Sequence, residues 1–370
     1  MTRSLLLAAI LTLCLLLVRS AGAEFTTAAG PHSVQVLDQT WSDAGRDRDI
    51  PVRLYVPDAP GPRPVVIFSH GLGGTREAAA YLGQHWASHG YLSVHAQHPG
   101  SDDSAWRGRE EPLESLKAAT RDIAVVTDRP KDITFVIDEL IRRNAAPDNG
   151  LAGQVDAERI AVAGHSFGAF TALAVSGQLL GAARTDAPFD FTDPRVKAAI
   201  ALSAPAKARE SGTQKIYADY YVPTFHMTGT LDDSPIRETK AEDRRIPYDA
   251  ICANESGTPQ YLVILEGGDH MVFSGRERSR REREGRAGGE GRFGARLRER
   301  LAGRNATAIQ GQGGDPAKDA AFREVIEVGT LAFLEAYLND DKGANDYLTS
   351  PSGYRADMGA LAASYEFCER

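Results

Sequence analysis

The stretch Ile160-Ala161-Val162-Ala163-Gly164-His165-Ser166-Phe167-Gly168-Ala169-Phe170 constrains the fold of this chain more than any other. An apolar run reads as a buried strand. It ends in Gly-x-Ser-x-Gly and passes at once into the small-residue run Phe167–Gly177, which reads as a helix. The five-residue pattern alone recurs by chance; the strand before it and the helix after it favour a reactive serine over the competing reading, an ordinary Gly-rich strand-helix turn. The arrangement puts Ser166 on a tight strand-to-helix turn, with glycines where a Cβ would clash. The helix N-terminus beside it favours negative charge developing there.

A serine hydroxyl is a weak nucleophile without a base. In the strand-turn-helix setting the acid and then the histidine follow the serine, each at a later strand exit. Val222–Pro235 supplies Asp232 and Asp233, and Gln260–Phe273 supplies His270. The gaps, 66 and 38 residues, leave room for one or two elements each. Asp232 is the expected acid, three residues past Gly229, with Asp233 as the alternative; either would otherwise be a solvated turn aspartate or a helix cap. His270 stands at the end of its strand and just before an arginine run, so a bystander role beside a charged patch is the competing reading. Acyl transfer also needs donors for a developing oxyanion. The expected donors are the amide of Phe167 and that of Leu72, in Ser69-His70-Gly71-Leu72-Gly73-Gly74.

Further apolar runs alternate with helix-like stretches. Arg63–Gly71, Tyr91–Gly100, Arg159–Ser166, Val196–Pro205, Val222–Thr230 and Gln260–Gly268 read as buried strands of a largely parallel sheet. Two earlier strands cover His32–Leu37 and Ile50–Pro57. Thr127–Asn144 reads as a helix with Asp128 as N-cap and Pro130 in the first turn. The pattern predicts an α/β fold with helices on both faces of a mostly parallel sheet. One domain is expected over 24–350, followed by a C-terminal tail over 351–370. Residues 276–317, rich in Arg, Glu and Gly, read as an insertion with few apolar side chains.

Residues 1–23 carry Arg3, an apolar run from Leu5 to Val18, and Ala21-Gly22-Ala23. This is the pattern of a cleaved signal peptide, giving a secreted or periplasmic chain that begins at Glu24. No later segment is apolar over 18 residues, so no stable membrane span is expected. Without the leader two cysteines remain, Cys252 and Cys368, and an oxidising compartment favours a disulfide between them over two buried thiols. The net charge is −8. Eleven arginines and five glutamates between Arg276 and Arg304 form the one basic block. An otherwise acidic chain is a poor match for a nucleic-acid partner.

Several of these stretches resemble the α/β-hydrolase superfamily. The motifs are Val65–Gly74, Trp86–Val94, Gly164–Phe170, Thr228–Pro235 and Gly267–Gly275, with the entry Trp41–Pro57. They are similar to an exported group related to the plasma platelet-activating-factor acetylhydrolases and to proteins called predicted dienelactone hydrolases. The resemblance implies a serine esterase without metal or organic cofactor. It matches Ser166 to the nucleophile, Asp232 to the acid, His270 to the base, and Leu72 and Phe167 to the oxyanion hole. Ala169 stands where the elbow often carries another glycine, and the arginine-rich insertion is longer than the fold requires. True dienelactone hydrolases commonly carry a cysteine nucleophile, and the elbow here has none.

The expected activity is therefore hydrolysis of carboxylic esters through an acyl-enzyme. A short-acyl lipid or small ester is the first substrate class, by resemblance, and a polyester of the cutinase type the second. A reading of another class is a non-catalytic, hydrolase-like protein that grips anionic polymers through its arginine-rich segment. His95, His98, Asp102 and Asp103 have ligand chemistry, but a strand-exit loop explains them without a metal. His226 alternates within a strand and reads as a core histidine. Asn254 and Asn305 fit glycosylation sequons, which matter only in a glycosylating host. The oligomeric state is left open by the sequence.

Overall fold

The computed structural model describes residues 25–147, 150–183, 185–206, 212–236, 239–254, 257–275 and 314–369. The leader over 1–23 and the basic block Arg276–Arg304 lie outside the described residues.

Nine strands form one sheet in the order β1-β2-β4-β3-β5-β6-β7-β8-β9. They are β1 (Val34–Asp43), β2 (Arg48–Pro57), β3 (Arg63–Ser69), β4 (Leu92–Ala96), β5 (Val155–His165), β6 (Val196–Leu202), β7 (Thr224–Leu231), β8 (Gln260–Asp269) and β9 (Ala362–Cys368). The six strands from β4 to β8 in the sheet order are parallel to one another. The edges are antiparallel: β1 on β2, β2 on β4, and β9 on β8. β3 and β4 are buried along their whole length. Burial on both faces is what a continuous apolar run demands, in place of alternation.

Helices cover both faces. They are α1 (Ala80–Ser88), α2 (Pro112–Ala119), α3 (Ile123–Ala145), α4 (Phe167–Val175), α5 (Thr213–Ile216), α6 (Ile246–Cys252), α7 (Asp319–Leu338), α8 (Lys342–Thr349) and α9 (Tyr354–Met358). Ile133, Val136, Ile137 and Leu140 of α3 and Ala172 and Leu173 of α4 build the core on one face. Leu82 and Trp86 of α1 and Phe322, Ile326, Phe333 and Leu334 of α7 build it on the other.

Two elements differ from the sequence expectation. The helix expected from Asp128 begins at Ile123, capped by Asp122, whose side chain accepts from the Ala124 amide at 2.9 Å. Pro130 therefore lies inside α3 rather than in its first turn. Pro130 has no N–H to give to the carbonyl four residues back, so the helix runs through it one backbone hydrogen bond short. The second difference is the segment 351–370. It is no tail beside the domain: it supplies α9 and β9, and β9 pairs along β8 from Gln260↔Cys368 to Leu265↔Ala362. Tyr354 is buried against Phe225 and Tyr365. Cys252 and Cys368 are joined by a disulfide that ties the end of α6 to β9.

Candidate active site

The sheet order reverses beside β3, since β4 lies on one side of it and β5 on the other. In open parallel sheets such a reversal opens a crevice at the carboxyl ends of the strands. Here those ends carry hydroxyl, imidazole and carboxylate side chains. Ser69 ends β3, His98 follows β4, Ser166 follows β5, Ser203 follows β6, Asp232 follows β7 and His270 follows β8.

Ser166 has φ 56° and ψ −116°, a conformation that L-residues rarely adopt. Packing imposes it. A Cβ on Gly164 would lie 2.2 Å from the Gly168 carbonyl oxygen. One on Gly168 would lie 1.8 Å from the Ser69 carbonyl oxygen. The two glycines thus let the start of α4 sit directly on the ends of β5 and β3. The Ser166 amide donates to Leu202 O at 2.9 Å, which fixes the turn to the neighbouring strand.

Ser166, His270 and Asp232, expected from the sequence, are brought into one line. Ser166 Oγ lies 3.0 Å from His270 Nε2, and His270 Nδ1 lies 2.8 Å from Asp232 Oδ1. With Nδ1 protonated toward the carboxylate, Nε2 is left to accept the serine proton. Asp232 is fully buried. Its Oδ2 accepts from Thr228 Oγ1 at 2.8 Å and its Oδ1 from Ser203 Oγ at 2.9 Å. Arg244 Nε reaches Oδ1 at 2.9 Å. Burial alone would raise the Asp232 carboxyl. The charge of Arg244 and the hydrogen bonds from His270 and Ser203 outweigh it and hold the group below the ordinary carboxylate value.

Asp233, the alternative acid, is not brought to His270. It caps the turn at Ala241, accepting from that amide at 3.0 Å, and pairs with Lys240 Nζ at 2.9 Å. His165 holds His270 from behind, Nε2 donating to the His270 carbonyl at 2.9 Å. Burial pushes the His165 imidazole down to about 3, so at neutral pH it is an uncharged donor.

Leu72 and Phe167 flank the serine on two sides. A Cβ on Gly71 would lie 3.4 Å from Ser166 Cβ, so the turn that carries Leu72 rests on the elbow. Among the described residues the amides of Leu72 and Phe167 make no hydrogen bond to the protein. Neighbouring amides in the turn do: Gly73 donates to Ser101 O and Gly74 to Gly71 O.

The loop after β4 is a hydrogen-bonded network. His98 Nδ1 meets Asp132 Oδ2 at 3.0 Å, and His98 Nε2 meets Ser69 Oγ at 2.9 Å. Asp102 accepts from Gln97 and Ser104, Asp103 pairs with Arg107, and His95 donates to Ala78 O. His226, in β7, contacts Gln260 Oε1 at 3.0 Å.

Sequence reasoning missed Ser203 and Arg244. Ser203 has φ 59°, and its Oγ lies 2.8 Å from His270 Nδ1. Arg244 is buried, donates to Ser203 O and Ala204 O, and brings Nη2 to 3.1 Å from His270 Nδ1. The Ser-Ala-Pro at the exit of β6 was a signal for the first. Arg244-Arg245 offered none for the second, because its neighbour pairs with Asp249 and Glu366 at the surface.

Residues 56–112 match the family model described as platelet-activating factor acetylhydrolase, isoform II. The matched segment runs from the end of β2 through β3, the Leu72 turn and β4, and stops before Ser166. No curated protein matches the chain. By this match and by its mostly parallel sheet, the chain is an α/β-hydrolase-fold protein similar to the platelet-activating factor acetylhydrolases, a family of carboxylic ester hydrolases.

Proposed function

We propose that the protein is an exported serine esterase in which Ser166 is the nucleophile, His270 the base and Asp232 the acid. One observation carries the reading: the unbroken line from Ser166 Oγ to His270 Nε2, and from His270 Nδ1 to a buried carboxylate. Ser166 Oγ attacks the ester carbonyl carbon as its proton passes to His270 Nε2. Negative charge grows on the carbonyl oxygen, and the Leu72 and Phe167 amides donate to it. The tetrahedral species collapses, the alcohol leaves with the proton from His270, and an acyl-serine remains. Water, giving its proton to His270, attacks the acyl carbon, and the carboxylic acid departs as Ser166 regains its proton. Asp232 stays ionised throughout and stabilises the imidazolium.

A short-acyl lipid or small ester is the substrate class that the family likeness supports. The leader over 1–23 and the Cys252–Cys368 bond support export to an oxidising compartment. The polyanion-binding reading rests on residues outside those described. Hydrolysis of p-nitrophenyl acetate by the Ser166→Ala variant tests the assignment. The activity falls to background if Ser166 is the nucleophile; full activity in a folded variant refutes it.

A further inference from the structure

We infer that Arg129 is a positioning residue that sets both backbone amides of the oxyanion hole with a single side chain. The inference rests on the proposed serine-esterase reading and extends it to a residue away from the Ser166–His270–Asp232 line.

Arg129 lies in α3 and is fully buried. A guanidinium without water is costly unless its N–H groups find acceptors. Among the described residues its hydrogen bonds go to three hydroxyls and a carbonyl, and none goes to a carboxylate. The usual reason for burying an arginine, a direct ion pair, is absent from this set. What the four contacts share is their place in the site.

Nη2 donates to Ser69 Oγ at 2.9 Å and to the His70 carbonyl. These two residues lead into Gly71 and Leu72. Nη1 donates to Ser101 Oγ at 2.7 Å, and the Ser101 carbonyl accepts from Gly73 N–H at 2.8 Å. The Leu72 amide is thereby bracketed from both sides. Nε donates to Thr171 Oγ1 at 2.9 Å, and that hydroxyl donates to the Phe167 carbonyl at 3.0 Å. The guanidinium carbon also lies 4.5 Å from the centroid of the Phe167 ring. One rigid, planar group therefore grips the segment of each amide donor. Arg suits this because its N–H directions are fixed relative to one another, whereas a lysine offers a single freely turning point.

Oxyanion donors act only when the carbonyl oxygen becomes an anion. Loosening them should lower kcat and leave KM nearly unchanged. The test uses the full chain and the variants Arg129→Lys, Arg129→Met and Thr171→Val, the last a near-isosteric loss of the hydroxyl between Arg129 and Phe167. Each is assayed with p-nitrophenyl acetate, and for inhibition by an aryl trifluoromethyl ketone, which adds to a serine as an anionic tetrahedral adduct. We expect kcat to drop about 10–100-fold in the Arg129 variants, with KM within about threefold. Ketone affinity should weaken in parallel. Thr171→Val should show the same signature, about three- to tenfold. If the Arg129 variants do not fold, Thr171→Val decides. Folded variants with wild-type kcat and ketone affinity would overturn the inference. So would a drop in kcat with ketone affinity intact, since that is the mark of a merely structural role. Ser166→Ala, assayed alongside, separates the two claims. Its full activity refutes Ser166 as the nucleophile, and with it the oxyanion hole beside Ser166, while its inactivity beside unaffected Arg129 and Thr171 variants refutes only the positioning role.

Discussion

At the residue scale, the site is a set of strained or buried groups held in place by backbone contacts. Gly168 illustrates it. Its absent Cβ would sit 1.8 Å from a backbone oxygen that has no freedom to turn away. Gly168→Ala should therefore cost on the order of 1–3 kcal/mol in urea unfolding and reduce kcat, because Ser69 precedes the Leu72 turn. The two aspartates give a sharper contrast. Asp232→Asn should cut kcat about 10⁴-fold by favouring the wrong imidazole tautomer. Asp233→Asn should leave it within about twofold, since Asp233 faces Lys240. The reverse result in the ester assay would move the acid to Asp233. Ser166, Asp232 and His270 were legible because each stands in a fixed order at the exit of an apolar run. The groups around them were not. Ser69, His98 and Asp132 form a second Ser-His-Asp line at 2.9 and 3.0 Å, but all three are buried and Arg129 occupies the serine. Geometry alone does not make a catalytic site; access does. Likewise Arg129, Arg244 and Arg245 look alike in sequence, and only tertiary packing decides which is buried.

At the element scale, the six parallel strands were readable because burial on both faces leaves an unbroken apolar signature. β9 was not. Ala362–Cys368 is an edge strand with partly exposed residues, and it lies beyond the closing helices where no crossover pattern announces it. Its place next to β8 gives the C-terminus a role in the site, because β8 delivers His270. Ending the chain at Ser350 should strip β9, expose the edge of β8 and remove Tyr354 from the core. The shortened protein should aggregate, where an independent tail would leave solubility and Tm unchanged. The disulfide secures the same edge across 116 residues. In the chain-entropy view a loop of that size is worth about 4–5 kcal/mol. Cys368→Ser should accordingly lower the urea midpoint; an unchanged midpoint would mean that the bond contributes nothing to the fold.

At the scale of the whole molecule, buried neutral histidines contribute to the response to acid. Burial holds His85, His98 and His226 down to about 4, and His95 and His165 to about 3, with His70 also well below its ordinary value. Above pH 6.5 these groups are neutral in folded and unfolded chains alike. As pH falls through 6.5 the unfolded chain takes up protons that the folded one refuses, so stability is lost until the folded groups titrate near 4 and 3. Unfolding free energy should fall by up to about 1.4 kcal/mol per pH unit for each such histidine. Urea titrations between pH 7 and 4.5 check this; a flat profile would contradict it.

In the proposed mechanism Ser166 is a nucleophile activated by His270. The most direct measurement is to treat the full chain with a fluorophosphonate and map the modified residue by mass spectrometry. One adduct per chain is expected, on Ser166, formed in step with loss of esterase activity and absent from His270→Ala. Esterase activity that survives the reagent, or an adduct on any other residue that accompanies its loss, would contradict the mechanism.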